Sequence, residues 1–114
     1  MSAPHVPQVN DTEIDPKVLA EPGVVLLEFY SQTCPHCARM APIVSRTAER
    51  FAGRVRVYQL NVLGNTRAVS RYGIHGVPTF VLLVDRDEVD RIIGEVPEAA
   101  LVEHVEKLVA APVP

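Results

Sequence analysis

Several features are absent from this sequence, and each absence narrows the class of protein. No apolar run is long enough to span a bilayer, which argues against an integral membrane protein. The net charge is only −3, so we expect no strongly charged surface that would bind nucleic acid or a membrane. There is no internal repeat and no low-complexity tract. The 114 residues, of which 47% are apolar, are therefore expected to form one globular domain.

The N-terminal stretch also lacks the basic start and the apolar run of a signal peptide. We therefore expect a cytoplasmic protein. The periplasm stays an alternative, because a mature secreted chain recloned with a new methionine would look similar. We expect a monomeric single domain over residues 1–114, with its core at about 24–109 and with 1–10 and 110–114 as candidates for fraying.

The apolar pattern predicts strands that alternate with helices. Strands are expected at Val24–Tyr30, Val55–Val62, Thr79–Val84 and Glu88–Gly94, with a short edge strand around Val6–Val9 limited by Pro4 and Pro7. Helices are expected from Asp11 or Thr12 to near Ala20, from Cys34 to Phe51 with Pro42 inside, from Asn65 or Thr66 to Tyr72, and after Pro97. This order gives a mixed sheet with helices on both faces.

The chain has two cysteines, Cys34 and Cys37, separated by Pro35 and His36. A structural disulfide between them would close a tiny loop and stabilise the fold by only about 2 kcal/mol. A closed zinc site needs four ligands, and the other histidines are scattered, so we expect no metal site.

The spacing favours a reactive pair instead. Cys34 follows a buried strand and begins a long helix, where backbone N–H groups and the helix dipole stabilise a thiolate. We expect its pKa to fall from about 8.5 into the range of roughly 3.5–7.5. Cys37 lies one turn further on the same face but deeper, which is the arrangement needed for thiol–disulfide exchange. Cys34 would attack a substrate disulfide and Cys37 would resolve the mixed disulfide.

The segments VVLLEFYSQTCPHC and RYGIHGVPTF, the internal Pro42 and the late Gly94 together resemble the thioredoxin family from about Val24 to Leu108. The resemblance implies a central five-stranded mixed sheet flanked by four helices. It also implies a thiol–disulfide oxidoreductase that reduces protein disulfides, draws electrons from a reductase or another thiol donor, and needs no cofactor beyond its redox-active disulfide.

The resemblance also implies a substrate-binding region. A cis peptide bond at Val77-Pro78 would lie beside the cysteines, with the backbone of Val77 open to a bound peptide. Gly76, Thr79 and Thr33 would line the same region. The plainer interpretation makes Pro78 a residue that starts a strand and Gly76 a turn residue.

Glu28 is the second residue with a chemical interpretation, because a carboxylate in the middle of an apolar strand is expensive to bury. It would lie beneath the cysteines with a raised pKa and accept the proton of Cys37. The alternative is a solvated pocket or an arginine partner. The family usually has Asp here. Gln59 stands where the family has a lysine that would favour an ionised acid.

Pro35 and His36 resemble the dipeptide of periplasmic disulfide oxidases of the DsbA type and are expected to tune the pair. A donor near the Cys34 sulfur favours the dithiol, so we expect a potential between about −270 and about −120 mV. The plainer interpretation of His36 is an exposed residue at a helix start. Thr33 replaces the usual tryptophan, which makes recognition by an ordinary thioredoxin reductase doubtful.

Two alternatives to a reductase stay open. One is an oxidase or isomerase with a more oxidising potential. The other is a redox-inactive binding module or metal chaperone. Three arginines, Arg39, Arg46 and Arg50, lie along one helix face, where they are expected either to meet acidic partners or to form a solvated surface.

Overall fold

The fold, given by a computed structural model that describes residue 3 and residues 5–109, is a mixed four-stranded sheet with helices on both faces. The strands are β1 (Val24–Tyr30), β2 (Val55–Asn61), β3 (Thr79–Val84) and β4 (Asp87–Ile93). The helices are α1 (Pro35–Arg50), α2 (Thr66–Arg71), α3 (Glu98–Val109) and an N-terminal helical segment over residues 11–18. The sheet order is β2-β1-β3-β4, with only β1 and β2 parallel.

The prediction of a fifth strand around Val6–Val9 is wrong. The segment makes a single bridge, in which the N–H of Val9 donates to the Gln59 carbonyl and the N–H of Gln59 donates to the Pro7 carbonyl. Pro7 has no N–H for a longer ladder, so the pairing stops there. Val6 and Val9 are nevertheless buried. Pro4 and the predicted frayed segment 110–114 lie outside the described residues.

The N-terminal helical segment differs from its prediction in its cap. It consists of a 3-10 turn (Asp11–Glu13) and a π-helical stretch (Ile14–Val18), and Asn10 caps it by accepting a 2.9 Å hydrogen bond from the N–H of Thr12. Asp11 was a predicted cap, but its carboxylate accepts the N–H groups of Arg67 and Ala68 at the start of α2. A carboxylate at an N-terminus satisfies otherwise unpaired N–H groups, so Asp11 joins two helices.

β1 is one of the two interior strands, and its side chains alternate between two apolar cores. The core under α1 and α3 includes Leu26, Met40, Phe80 and Leu101. The core under the N-terminal helical segment and α2 includes Ile14, Leu27, Ala68 and Val81. Burial on both faces explains the near-continuous apolar run of β1. Leu26, Glu28 and Tyr30 share the face of α1, so the strand directs its one carboxylate towards that helix.

The β3–β4 hairpin lies at the end of the sheet where β1 begins, so the start of β3 and the end of β4 come together at the opposite end, where β1 finishes. The β3–β4 hairpin turns through Asp85 and Arg86, with φ of 48° and 78°, as a two-residue hairpin turn requires. Strand β4 then pairs Ile93 with Thr79, and the N–H of Gly94 donates to the Pro78 carbonyl over 2.8 Å. The loop after β4 therefore lies beside the start of β3. Within the described residues, no helix has the length and apolar character needed to cross a membrane.

Candidate active site

The predicted reactive residues meet where β1 leads into α1. Cys34 is the N-cap of α1 and Pro35 is its first residue, because a fixed φ and a missing N–H suit that position. The Cys34 thiol donates to the Val77 carbonyl, with the sulfur 3.7 Å from the oxygen. The Val77–Pro78 peptide bond is cis. The fold thus places the loop before β3 against the first cysteine.

The surroundings of Cys34 stabilise its thiolate. Burial by itself would raise the pKa of Cys34, but hydrogen bonds from the N–H and thiol of Cys37 and from the N–H of His36, together with the charge of Arg39, lower that pKa below its ordinary value. Donors at the first turn of a helix act in this way on an anion. Cys34 is half-buried, whereas Cys37 is buried.

Cys37 has the opposite character. It is only 1% exposed, and both cysteines carry free thiols. Burial raises the pKa of Cys37 to about 12, with further contributions from the neighbouring Cys34 sulfur and the Glu28 charge. One cysteine is therefore accessible and readily ionised, and the other is shielded and protonated.

Glu28 lies on the face of β1 beneath α1 and is fully buried. Burial raises its pKa to about 7, against the lowering effect of a hydrogen bond from Gln59. Among the described residues, its Oε2 atom has no hydrogen-bond partner. Within the described part of the chain no arginine pairs with it, and its charge raises the pKa of Cys37. These features argue against a solvated pocket and an arginine partner, and the role of Glu28 as a proton acceptor stays a prediction.

Gln59 connects Glu28 to the N-terminal segment. Its Nε2 donates to Glu28 Oε1 over 2.7 Å, and its Oε1 accepts from the N–H of Ala3 and from Gln8 Nε2 at 2.8 and 2.9 Å. The Tyr30 hydroxyl in turn donates to Gln8 Oε1 over 2.7 Å. Where a lysine would place a positive charge beside Glu28, Gln59 places only an amide dipole. The two hydrogen bonds to Gln59 Oε1 fix the orientation of the amide, so that Nε2 points to Glu28.

The ring of His36 contacts Glu95 and Arg39 at the rim of the site. Its Nδ1 atom lies 2.9 Å from Glu95 Oε1 and 2.9 Å from Arg39 Nη2. Arg39 also donates from Nε to both Glu95 oxygens at 3.0 Å. The hydrogen bonds from Arg39, and to a smaller extent the one with His36, lower the pKa of Glu95 to about 2. We call Glu95, Arg39 and His36 the Glu95 cluster.

The remaining predicted substrate-binding residues differ in their exposure to solvent. Thr33 is exposed next to Cys34, where its hydroxyl lies 3.2 Å from that of Ser31. Gly76 is exposed. The Thr79 side chain is only 2% exposed and donates to the Gly76 carbonyl over 2.7 Å. The buried Thr79 side chain supports the loop from below, and its role in substrate binding stays a prediction.

Two parts of the site were not predicted from the sequence. The first is the extension of the Glu28–Gln59 pair to Gln8 and Ala3, because the family resemblance placed only Gln59 near the acid. The second is Glu95. Its only signal is its position directly after Gly94, a residue already part of the family pattern.

The geometry contains no metal cluster, since no three His, Cys, Asp or Glu side chains in the described part of the chain are arranged to hold an ion. The three predicted arginines of α1 are all paired. Arg39 binds Glu95, Arg46 binds Glu98 and Arg50 binds Glu106.

A family model and several known proteins that are similar to this chain all carry the name thioredoxin. The family model described as Thioredoxin matches residues 5–107. A protein named Thioredoxin from Synechocystis sp. is 34% identical over 101 residues, which cover 89% of this chain and 94% of that protein. Thioredoxin M-type, chloroplastic, from Pisum sativum is 35% identical over 105 residues, covering 92% of this chain. Thioredoxin M4, chloroplastic, from Arabidopsis thaliana is 36% identical over 106 residues. The matches span 61% and 55% of these two plant proteins.

Proposed function

The chain belongs to the thioredoxin family, and on this premise we propose that it reduces disulfides of other proteins by dithiol–disulfide exchange. The observation that carries the proposal is the contrast between the two cysteines. Cys34 is a half-buried N-cap with a lowered pKa, and Cys37 is a buried thiol one turn along the same helix. That combination supplies a nucleophile and a protected resolving group.

The first step uses Cys34. Its thiolate attacks one sulfur of the substrate disulfide, so that a Cys34–substrate disulfide forms and the other substrate sulfur leaves as a thiolate. We propose that the Val77 carbonyl, which faces the Cys34 sulfur, accepts a backbone N–H of the bound substrate once the Cys34 proton is gone. Pro78, Gly76 and Thr33 would border the same region.

The second step uses Cys37 and Glu28. Burial raises the pKa of Cys37, and a charged Cys34 sulfur raises it further. In the mixed disulfide that charge is gone, so the pKa of Cys37 falls and its proton can pass to the ionised Glu28. The Cys37 thiolate then attacks the Cys34 sulfur, which releases the second substrate thiolate and leaves a Cys34–Cys37 disulfide.

Two electrons are needed to restore the dithiol. We propose that a reductase or another thiol donor supplies them and that the Cys34–Cys37 pair is the only redox group. We also propose that residues 1–114 act as a monomeric single domain in the cytoplasm without nucleic-acid or membrane partners. Gel filtration would test the monomeric state, and cell fractionation would test the cytoplasmic location.

Insulin reduction by dithiothreitol tests the proposed activity. The wild type should accelerate precipitation of the insulin B chain, and Cys34→Ser should abolish the acceleration. Cys37→Ser should instead accumulate a mixed disulfide that mass spectrometry detects. An unaffected rate in Cys34→Ser would contradict the proposal. The Pro35-His36 dipeptide favours an oxidase or isomerase as the second candidate, and the potential against glutathione separates the two, with about −270 mV indicating a reductase and about −120 mV an oxidase.

A further inference from the structure

The Glu95 cluster lies at the rim of the site and is absent from the mechanism above. Glu95 follows Gly94, whose N–H donates to the Pro78 carbonyl, so its backbone is attached to the loop that faces Cys34. Its carboxylate reaches across to α1 and contacts both polar side chains of the first two turns, His36 and Arg39. The Glu95 side chain is 34% exposed, and that of Arg39 is 56% exposed.

Arg39 is the positively charged side chain that acts on Cys34. Besides the N–H groups of the first turn and the Cys37 thiol, its guanidinium is the only charged group that lowers the pKa of Cys34 among the described residues, and the Cys34 charge acts reciprocally on Arg39. The guanidinium is at the same time bound to Glu95, through two hydrogen bonds of 3.0 Å from Nε and an Nη2–Oε1 contact of 3.0 Å. An ionised carboxylate in contact with a guanidinium cancels much of its field at a distance.

We propose that Glu95 is a positioning residue for the redox pair, which holds the Arg39 guanidinium, offsets its positive charge at Cys34 and so keeps the Cys34–Cys37 couple less oxidising than the CPHC sequence alone would make it. This inference rests on the proposed function, because it concerns the potential of the same two cysteines.

The direction follows from the charges. A more stable Cys34 thiolate favours the dithiol over the disulfide, and a couple whose dithiol is favoured is more oxidising. Loss of the Glu95 charge removes a nearby anion and frees Arg39, and both changes stabilise the thiolate. His36 acts on Cys34 through its backbone N–H, and its ring Nδ1 faces Glu95.

A purely structural role is the competing interpretation, and the chain contains a matched control for it. Glu98 binds Arg46 through three hydrogen bonds of 2.7 to 3.2 Å, two turns further along α1. That pair also joins α1 to the β4–α3 region, but Arg46 does not contribute to the surroundings of Cys34. If Glu95 served only to attach α1, Glu95→Gln and Glu98→Gln would have equal effects.

The experiment measures the equilibrium in which the dithiol and oxidised glutathione give the Cys34–Cys37 disulfide and two glutathione thiols. In Glu95→Gln the equilibrium constant should fall by about three- to tenfold, where tenfold corresponds to about 30 mV. Thiolate absorbance at 240 nm should show a Cys34 titration at lower pH than in the wild type. Glu95→Asp, which keeps the charge, should restore most of the wild-type value, and Glu98→Gln should match the wild type.

Arg39→Met, alone and combined with Glu95→Gln, completes a double-mutant cycle for the Arg39–Glu95 pair. It should shift the equilibrium constant in the opposite direction, and in the Arg39→Met background the further change Glu95→Gln should alter the constant by less than about twofold. The inference is overturned if Glu95→Gln shifts the constant no more than Glu98→Gln, or shifts it upwards. If the wild type itself reaches no equilibrium with glutathione, the proposed function fails, and that result is separate from any comparison among the variants.

Discussion

The Gln59 amide donates a 2.7 Å hydrogen bond to the Glu28 carboxylate, and both residues are almost completely buried between β1, β2 and α1. The two residues are direct register partners on the parallel strands. An amide can stabilise a carboxylate only with a dipole, whereas a lysine would supply a full charge. Burial therefore dominates and raises the pKa of Glu28 to about 7, which leaves the acid poised between its two protonation states near neutral pH.

We expect the stability of the wild type to fall between about pH 4.5 and pH 7 because of Glu28. Its folded-state pKa of about 7 lies above its ordinary value of 4.5, so the folded protein holds this proton more tightly than the unfolded chain does. Stability from this group is complete at low pH and is lost as the pH rises through the folded-state pKa. The shift corresponds to roughly 3 kcal/mol.

Glu28→Gln should remove this loss, so its unfolding free energy should vary less between pH 5 and pH 8 than that of the wild type. Urea unfolding at several pH values measures the difference. Glu106→Gln serves as the control, because its side chain is 51% exposed and paired only at the surface. A Glu28→Gln variant with the same pH dependence as the wild type would show that the pKa of Glu28 is not raised on folding.

Gln59→Lys should lower the pKa of Glu28, because an ammonium group beside a buried carboxylate favours its charged form. The same change removes the acceptor for the N–H of Ala3 and for Gln8, which should cost about 1–3 kcal/mol for each donor left unpaired. Carbon-13 NMR titration of the Glu28 carboxyl group reports the first effect and urea unfolding the second. Gln8→Ala is the matched control, since it weakens the network without touching the hydrogen bond to Glu28.

Alkylation should distinguish the two cysteines. At pH 7 we expect iodoacetamide to modify Cys34 faster than it modifies free glutathione and to leave Cys37 unmodified, because Cys34 has a lowered pKa and Cys37 is buried with a pKa of about 12. Peptide mass spectrometry locates the label. Cys37→Ala removes a hydrogen bond to the thiolate, so its Cys34 should react with a higher apparent pKa. Equal labelling of both cysteines in the folded protein would refute this assignment.

Ile93 should contribute to the binding of protein substrates. It is 70% exposed at the end of β4 and is paired with Thr79, next to the Val77–Pro78 loop. Ile93→Ser should raise KM for insulin about three- to tenfold through loss of buried apolar area, with little change in kcat. Val89→Ser, on the same strand but four residues away and 51% exposed, should leave KM unchanged. A comparable increase in both variants would exclude a local contact at Ile93.

The order of strands and helices could be predicted well because it depends on short-range patterns. Continuous apolar runs indicated β1 and β3, and the helical stripe after Cys34 indicated α1. The errors arose where the chain offered competing choices. Asn10 and Asp11 are both good caps, and only the position of α2 decides that Asp11 caps α2. Apolar Val6 and Val9 suggested a strand, but Pro7 left room for one bridge.

The sequence by itself determined the chemistry available to this protein: two cysteines one helical turn apart behind a buried strand, and one carboxylate within that strand. These features are local, because helix periodicity and strand burial involve neighbouring residues. Only the tertiary structure decided how that chemistry is tuned. Gln59 meets Glu28 across 31 positions and Glu95 meets His36 across 59, and each pairing depends on how strands and loops pack together. The pKa of a buried acid and the charge near a thiolate depend on such distant neighbours, which local sequence does not specify.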